Sequence, residues 1–186
     1  MGDTFRAILL IALIAAFLTT SVLLFSWWME SERRLRRAMT KALGAPADTL
    51  ALSPYEGRAA GLDLEGGQLV VLWNRGAMGL VYAFEEVLGA EIIVDSHLVA
   101  RVLRGQRRKE IDLDAPDAEL VVLRLIFSDP HNAEFEIALW NGTHNAPASE
   151  AEKTSGARSP GEGLRLGRRW LSHVEAVMQR RSPFTA

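Results

Sequence analysis

Gly61-Leu62-Asp63-Leu64-Glu65-Gly66-Gly67-Gln68-Leu69-Val70-Val71-Leu72-Trp73 is the stretch on which the fold turns. Apolar and acidic residues alternate from Leu62 to Glu65, two glycines follow, and an apolar run ends at Trp73. Alternation with period two marks a strand with one face on a core. A glycine pair allows the backbone that a tight hairpin turn needs. The segment reads as a β-hairpin.

The same grammar continues downstream. Asn74-Arg75-Gly76 forms a turn, and Leu80, Tyr82 and Phe84 alternate along a third strand. Ala90, Ile92 and Val94 alternate along a fourth, and Asp95-Ser96 turns the chain into a fifth, Leu98 to Leu103, apolar on both faces. A polar loop from Gly105 to Asp117 leads to Glu119–Phe127, the most hydrophobic strand. Asp129-Pro130-His131-Asn132 is a turn with proline at its favoured second position, and Phe135, Ile137 and Leu139 share one face of a seventh strand. Seven short strands joined mostly by tight turns predict an antiparallel meander closing on itself as a sandwich or barrel. Residues 142–162 hold no Val, Leu, Ile, Met, Phe, Tyr or Trp, which predicts a mobile loop. Residues 163–181 then read as an amphipathic helix with a stripe of Leu166, Trp170, Leu171, Val174, Val177 and Met178. That helix caps the barrel, with Trp170 as its main structural plug.

Upstream the pattern changes. Gly44 to Pro54 is Ala- and Pro-rich and reads as a linker. Glu30 to Leu43 reads as a helix, with Leu35, Met39 and Leu43 four apart and Gly44 stopping it. Before it, Ala7 to Met29 is a run of 23 uncharged residues, enough for a helix to cross about 30 Å of hydrocarbon. Thr19, Thr20, Ser21 and Ser26 can bond to carbonyls one turn earlier, and Trp27 and Trp28 stand where aromatic rings anchor at the membrane interface. A cleaved signal peptide fits less well, because the run is long and Ser26 to Glu30 offers no small-x-small cleavage site. A buried core helix is a weaker rival. Only Arg6 precedes the run, whereas Arg33, Arg34, Arg36, Arg37 and Lys41 follow it. The positive-inside tendency therefore places the N-terminus outside and the C-terminal part in the cytoplasm. The domains expected are a transmembrane signal anchor at 1–29, a basic juxtamembrane helix and linker at 30–57, and the β domain at 58–182.

The net charge of −2 is an average over unlike parts. Residues 1–44 carry six Lys/Arg against three Asp/Glu, residues 45–150 eight against seventeen, and residues 151–186 seven against three. An acidic middle argues against nucleic acid as a partner. The absence of cysteine excludes disulfide scaffolds, thiolate metal sites and cysteine nucleophiles.

Linear motifs for chemistry are missing. His97, His131, His144 and His173 have no second metal ligand at helical spacing. Asp95-Ser96-His97 holds the residue types of a hydrolase triad, but neighbours in a turn cannot converge, and no G-x-S-x-G elbow exists. The glycine pairs are not followed by Gly-Lys-Ser/Thr or by a helix, so they make no phosphate cradle. Asp112, Asp114, Asp117 and Glu119 lack the glycine and terminal Glu of a calcium loop. No cofactor, catalytic residue, metal site or small-molecule substrate is indicated. The basic run Arg101, Arg104, Arg107, Arg108 and Lys109 can meet anionic lipid or an acidic partner, or can protect a strand edge. Together with Arg33, Arg34, Arg36 and Arg37 its members are the candidate contacts for lipid or partner.

The order of seven strands and one C-terminal helix resembles a pleckstrin-homology-like (PH-like) domain, and more narrowly bacterial membrane-anchored proteins that carry such a barrel. The likeness rests on Gly61-Leu62-Asp63-Leu64, on Phe84 through Val94, on Leu123 through Phe127 followed by Asp129-Pro130, and on Trp170. It covers about residues 58–182. Phosphoinositide-binding members of that family place Lys and Arg between their first two strands. Here Glu65-Gly66-Gly67-Gln68 is acidic, which counts against that ligand. The resemblance implies an architecture and no activity. The expectation is therefore a mainly β chain with α, comprising an N-terminal transmembrane helix and a seven-stranded PH-like barrel or sandwich capped by a C-terminal helix. It would be non-enzymatic, tethered in a bacterial inner membrane, and would bind a protein or peptide at a sheet edge or beside the capping helix. Two alternatives are an accessory subunit that binds through its span, where Ala12, Ala15, Ala16, Thr19 and Thr20 allow close approach, and an enzyme with a distributed site.

Overall fold

The computed structural model describes residues 2–111, 116–145 and 157–179, with the side chains of 2–12, 15, 22–30 and 145 outside that description. The chain is mainly β with some α. Helix α1 (Gly2–Leu43) is followed by β1 (Thr49–Ser53), β2 (Arg58–Asp63), β3 (Gln68–Trp73) and β4 (Met78–Ala83), a four-stranded antiparallel sheet in chain order. Strands β5 (Val87–Val94), β6 (His97–Leu103), β7 (Lys109–Glu110), β8 (Leu120–Phe127) and β9 (Glu134–Asn141) form a second antiparallel sheet, ordered β7-β6-β5-β8-β9. A single turn, α2 (Gly142–Asn145), and helix α3 (Pro160–Gln179) complete the described chain.

All seven expected strands are present, but there are two more, and the seven-stranded meander is corrected. The Gly44–Pro54 linker contains β1, paired to β2 from Thr49↔Leu62 to Ser53↔Arg58. The first sheet is a meander but the second is not, since β8 pairs with β5 on the side opposite β6. Nor do β1 and β9 close a barrel by a ladder. The Arg58 Nη1 donates to the Glu136 carbonyl at 2.8 Å, and the Ala138 N–H donates to the Glu56 carboxylate at 3.1 Å. Side chains, not a strand, satisfy this part of the β9 edge.

The hairpin at Leu62 explains the layering. On β3, Leu69 and Val71 enter the main core between the sheets, while Val70 and Leu72 are equally buried on the other face. A strand buried on both faces reads as a continuous apolar run. The second cover is α1, whose Leu35 and Met39 are fully buried against Leu52, Ala59, Val70 and Leu72. Residues 31–43 are thus clamped to the sheet along one face. Gly61 permits the approach, because a Cβ there would stand 2.6 Å from Met39 Sδ.

On the core side α3 plugs the sandwich. Trp170, Leu171, Val174 and Val177 join the main core, and Gly163 and Gly167 let the helix come close to Trp140 and Ile92. The helix begins earlier than its apolar stripe suggests. Ser159 Oγ accepts the Glu162 N–H at 3.2 Å, Glu162 reaches back to the Arg158 N–H at 2.8 Å, and Pro160 takes the first helical position.

The expected span at 7–29, including the interface anchors Trp27 and Trp28, falls largely on side chains outside the description, as do Asp112, Asp114 and most of the expected loop at 142–162. Among the described residues no helix is long and apolar enough to cross a membrane. Within α1, Thr20 and Ser21 do donate to the carbonyls of Ala16 and Phe17, each at 2.8 Å.

Candidate functional site

Strand β4 ends the first sheet, and among the described residues no strand pairs with its outer edge. The Ala83 N–H points outward, to the Glu86 carboxylate at 2.8 Å. Backbone groups in an antiparallel strand alternate in direction, so Val81 and Gly79 also turn their N–H and C=O away from β3. Met78 and Val81 are 53% and 51% exposed along this strand. Such an edge is a template for another strand.

Beside the edge lies a cleft of about 390 Å³ between the core face of β3–β4 and the start of β9. Val71, Trp73, Leu80 and Tyr82 line one wall, and Asn132, Glu134, Phe135 and Glu136 the other, with Arg58 at the end. The Trp73 and Phe135 rings are 6.5 Å apart, and the Arg58 guanidinium stands over Phe135 at 5.8 Å. Apolar walls with a few polar groups at the rim suit a side chain that brings one charge with it.

Tyr82 forms the floor. Its ring stacks on Phe127 at 3.9 Å, and its hydroxyl is 3.4 Å from both the Asp129 carboxylate and the Asn132 carbonyl. Burial, followed by the negative charge of Asp129, pushes the Tyr82 phenol up to about 12 from 10.0. Asp129 is held below the usual carboxylate range by the His131 N–H, which donates to it at 2.8 Å, and by the Asn132 amide. Because the folded phenol has the raised value, its contribution to stability is complete below pH 10 and is lost as pH climbs towards 12. In a Tyr55→Phe chain, which leaves Tyr82 as the sole tyrosine, tyrosinate absorbance should rise with a midpoint near 12. A midpoint at the ordinary phenol value would place the ring in water.

The basic run divides. Arg104 donates to the carbonyls of Phe84 at 2.7 Å and Val87 at 2.7 and 3.2 Å, tying the corner between β4 and β5. Arg108 pairs with Glu110 at 2.6 Å and Glu175 at 3.7 Å and donates to Ser172 Oγ at 3.1 Å, fastening the β6–β7 turn to α3. Arg101 approaches Glu91 at 3.8 Å. Arg107 and Lys109 are exposed. On α1, Arg33, Arg34, Arg36 and Arg37 are exposed, and Arg36 pairs with Glu32 at 2.9 Å. The structure does not bring the two basic groups together into one patch.

On the outer face of the second sheet, Arg124 gathers Glu91, Glu136 and Glu134 at 3.2, 2.7 and 3.5 Å. This ties β5, β8 and β9 across the sheet. The four histidines stay apart, and Asp95 uses its carboxylate to hold the Glu119 and Leu120 N–H groups, not His97. Among the described residues no group of three His, Asp or Glu side chains stands ready for a metal ion.

Sequence reasoning missed the cleft. Its walls come from β2, β3, β4, the β8–β9 turn and β9, so no linear spacing joins Arg58, Trp73, Tyr82 and Phe135. The apolar stripe of α3 itself faces inward, into the main core. Comparison with known protein families, curated proteins and solved structures gives no match for this chain, so the site rests on its own geometry.

Proposed function

We propose that the chain is a non-enzymatic, membrane-tethered interaction module that binds an extended segment of a protein partner along β4, with an apolar side chain seated in the adjoining cleft. The observation that carries this reading is the β4 edge, unpaired among the described residues, next to an aromatic-lined cleft. Strand addition draws affinity from main-chain hydrogen bonds and specificity from a neighbouring pocket. Glu134 and Glu136 at the rim, Asp129 beside the Tyr82 hydroxyl, and Glu85 and Glu86 beyond β4 favour a partner segment with a basic residue next to its apolar one.

In this reading residues 7–29 form the transmembrane anchor of a bacterial inner-membrane protein, with the N-terminus outside and the sandwich in the cytoplasm. The uncharged run, the basic residues after it and the internally bonded hydroxyls of Thr20 and Ser21 support it. So do Leu13, Ile14, Phe17 and Leu18, all more than half exposed on α1, an arrangement suited to lipid. The PH-like reading of the sandwich is supported by a four-stranded meander, a second sheet and a C-terminal helix plugging the core.

Selection of short random peptides against the full chain in lipid nanodiscs tests the site. The expected winners are extended peptides pairing a basic with an aromatic or large aliphatic residue. Their binding should be lost in Val81→Pro, which removes an outward N–H while sparing the β3 ladder. Equal binding by a folded Val81→Pro chain would rule the β4 edge out.

A further inference from the structure

The clamp between α1 and the first sheet fixes which end of the sandwich is nearest residue 29. Ser31 is 7% exposed and donates to the Pro54 carbonyl at 3.4 Å, so the β1–β2 turn (residues 54–57) sits beside the start of the clamped segment. The β3–β4 turn, Asn74 to Gly76, follows one to two helical turns later. A Cβ on Gly76, whose φ is +81°, would stand 2.8 Å from Ala38 Cβ and 3.8 Å from the Arg34 carbonyl. The Arg75 N–H donates to Gly57 O at 2.9 Å and joins the two turns into one surface. At about 1.5 Å per residue, Ser31 is only about 3 Å along the helix from Met29, whereas Arg34 and Ala38, which bracket the second turn, are about 8 and 14 Å away. The β2–β3 turn at Glu65–Gly67 belongs to the other end, near Leu43 and Asp48, whose carboxylate accepts the Leu64 N–H. That end lies about 20 Å along the helix from Met29.

Resting on the anchored reading above, we infer that the end of the sandwich formed by the β1–β2 and β3–β4 turns is seated on the lipid headgroup layer. A headgroup layer is about 5–8 Å deep outside the hydrocarbon, which spans the height of the β1–β2 turn and reaches towards that of the β3–β4 turn. The chemistry fits that layer. Tyr55 is 60% exposed at the tip of the β1–β2 turn, stacked on the His144 ring at 3.5 Å, and an amphipathic ring of this kind prefers the interface. Met78 is exposed beside the second turn, and Arg33 and Arg37 are exposed on the adjoining helix. The one carboxylate in the β1–β2 turn, Glu56, is turned inward to the Ala138 N–H. An acidic sandwich is thus presented to an anionic surface by two turns whose one carboxylate is engaged inward. Trp73 and Arg58 of the cleft belong to that same end, so a partner strand enters next to the membrane.

The cysteine-free chain makes the test direct. Single-cysteine variants Tyr55→Cys, Met78→Cys, Glu65→Cys and Ser26→Cys each carry a fluorophore in vesicles of phosphatidylethanolamine and phosphatidylglycerol. A fraction of the lipids bears a spin label on the headgroup or along the acyl chain. The expected result is loss of most emission at 55 to the headgroup quencher, partial loss at 78, none at 65, and loss at 26 to the acyl-chain quencher. Full emission at 55 with quenching at 26 would keep the anchor and overturn the seating. Full emission at both positions would overturn the anchor itself.

Discussion

Trp170→Ala should lower the unfolding free energy by about 3–5 kcal/mol, the upper range for truncating a buried aromatic ring. Trp170 is the largest of the fully buried side chains and belongs to the core shared by both sheets and α3. The cost of a cavity depends on how far the surroundings can collapse into it. Collapse is restricted here. Gly163 and Gly167 already bring the α3 backbone to the Trp140 and Ile92 side chains, so the helix has little room to sink further. Against a typical domain stability of about 5–15 kcal/mol, the loss is a large share. Trp170→Phe separates volume from polarity. The indole Nε1 is buried with no hydrogen-bond partner among the described residues, and an unsatisfied buried donor costs about 1–3 kcal/mol. Phenylalanine gives up some packing but also removes that donor, so its net effect should be much smaller. Urea unfolding of the three chains, followed by tryptophan-independent circular dichroism, reads both differences. Equal losses for Ala and Phe would assign the energy to the indole N–H and not to the ring's volume.

The strands legible in the sequence were those with a clear period. Leu62 to Trp73, Leu80 to Phe84 and Phe135 to Leu139 alternate or run apolar between turn residues, and each is a strand. β1 was hidden because Thr49-Leu50-Ala51-Leu52-Ser53 is short, flanked by Ala and Pro, and built partly from small residues. Ala51 of β1 enters the main core, whereas Leu52, with Ala59 and Gly61 of β2, lies on the face covered by Leu35 and Met39. The Leu69–Leu72 run carried the missed clue that α1 covers the sheet, since a strand with one wet face would have alternated. The crossing of β8 to the far side of β5 is set by tertiary pairing, which local periodicity does not encode. In the same way the charge of Arg104 and Arg108 was readable, but the carbonyls and carboxylates that engage them lie 17 to 67 residues away or on the neighbouring strand. The early start of α3 was legible in Ser159-Pro160 and Glu162, a capping signal that its weaker apolar content at that end obscured.

The double variant Leu35→Ala, Met39→Ala should release residues 31–43 from the first sheet without dissolving the core between the sheets. Each side chain is essentially fully buried, and truncation of such a residue costs about 2–5 kcal/mol. The two belong to a cluster with Leu52, Ala59, Val70 and Leu72 that is separate from the core containing Trp170 and Leu123. A separate cluster with its own contacts is the condition for sub-global opening. Hydrogen exchange of the chain in nanodiscs should therefore show amides of residues 31–43 and of β1 exchanging faster, with β5 and β8 unchanged. Trypsin should begin to cut at Arg36 and Arg37. Faster exchange everywhere would mean that the helix clamp and the sandwich unfold as one unit. The distinction matters for the anchored reading, because a released clamp turns a rigid mount into a tether. Tyr55 would then lose its fixed height above Met29, and the cleft would lose its fixed direction towards the bilayer. Gly61→Leu attacks the same joint from the sheet side, where a Cβ would meet Met39 Sδ at 2.6 Å. It should reproduce the exchange pattern of the double variant, although it removes nothing from the helix.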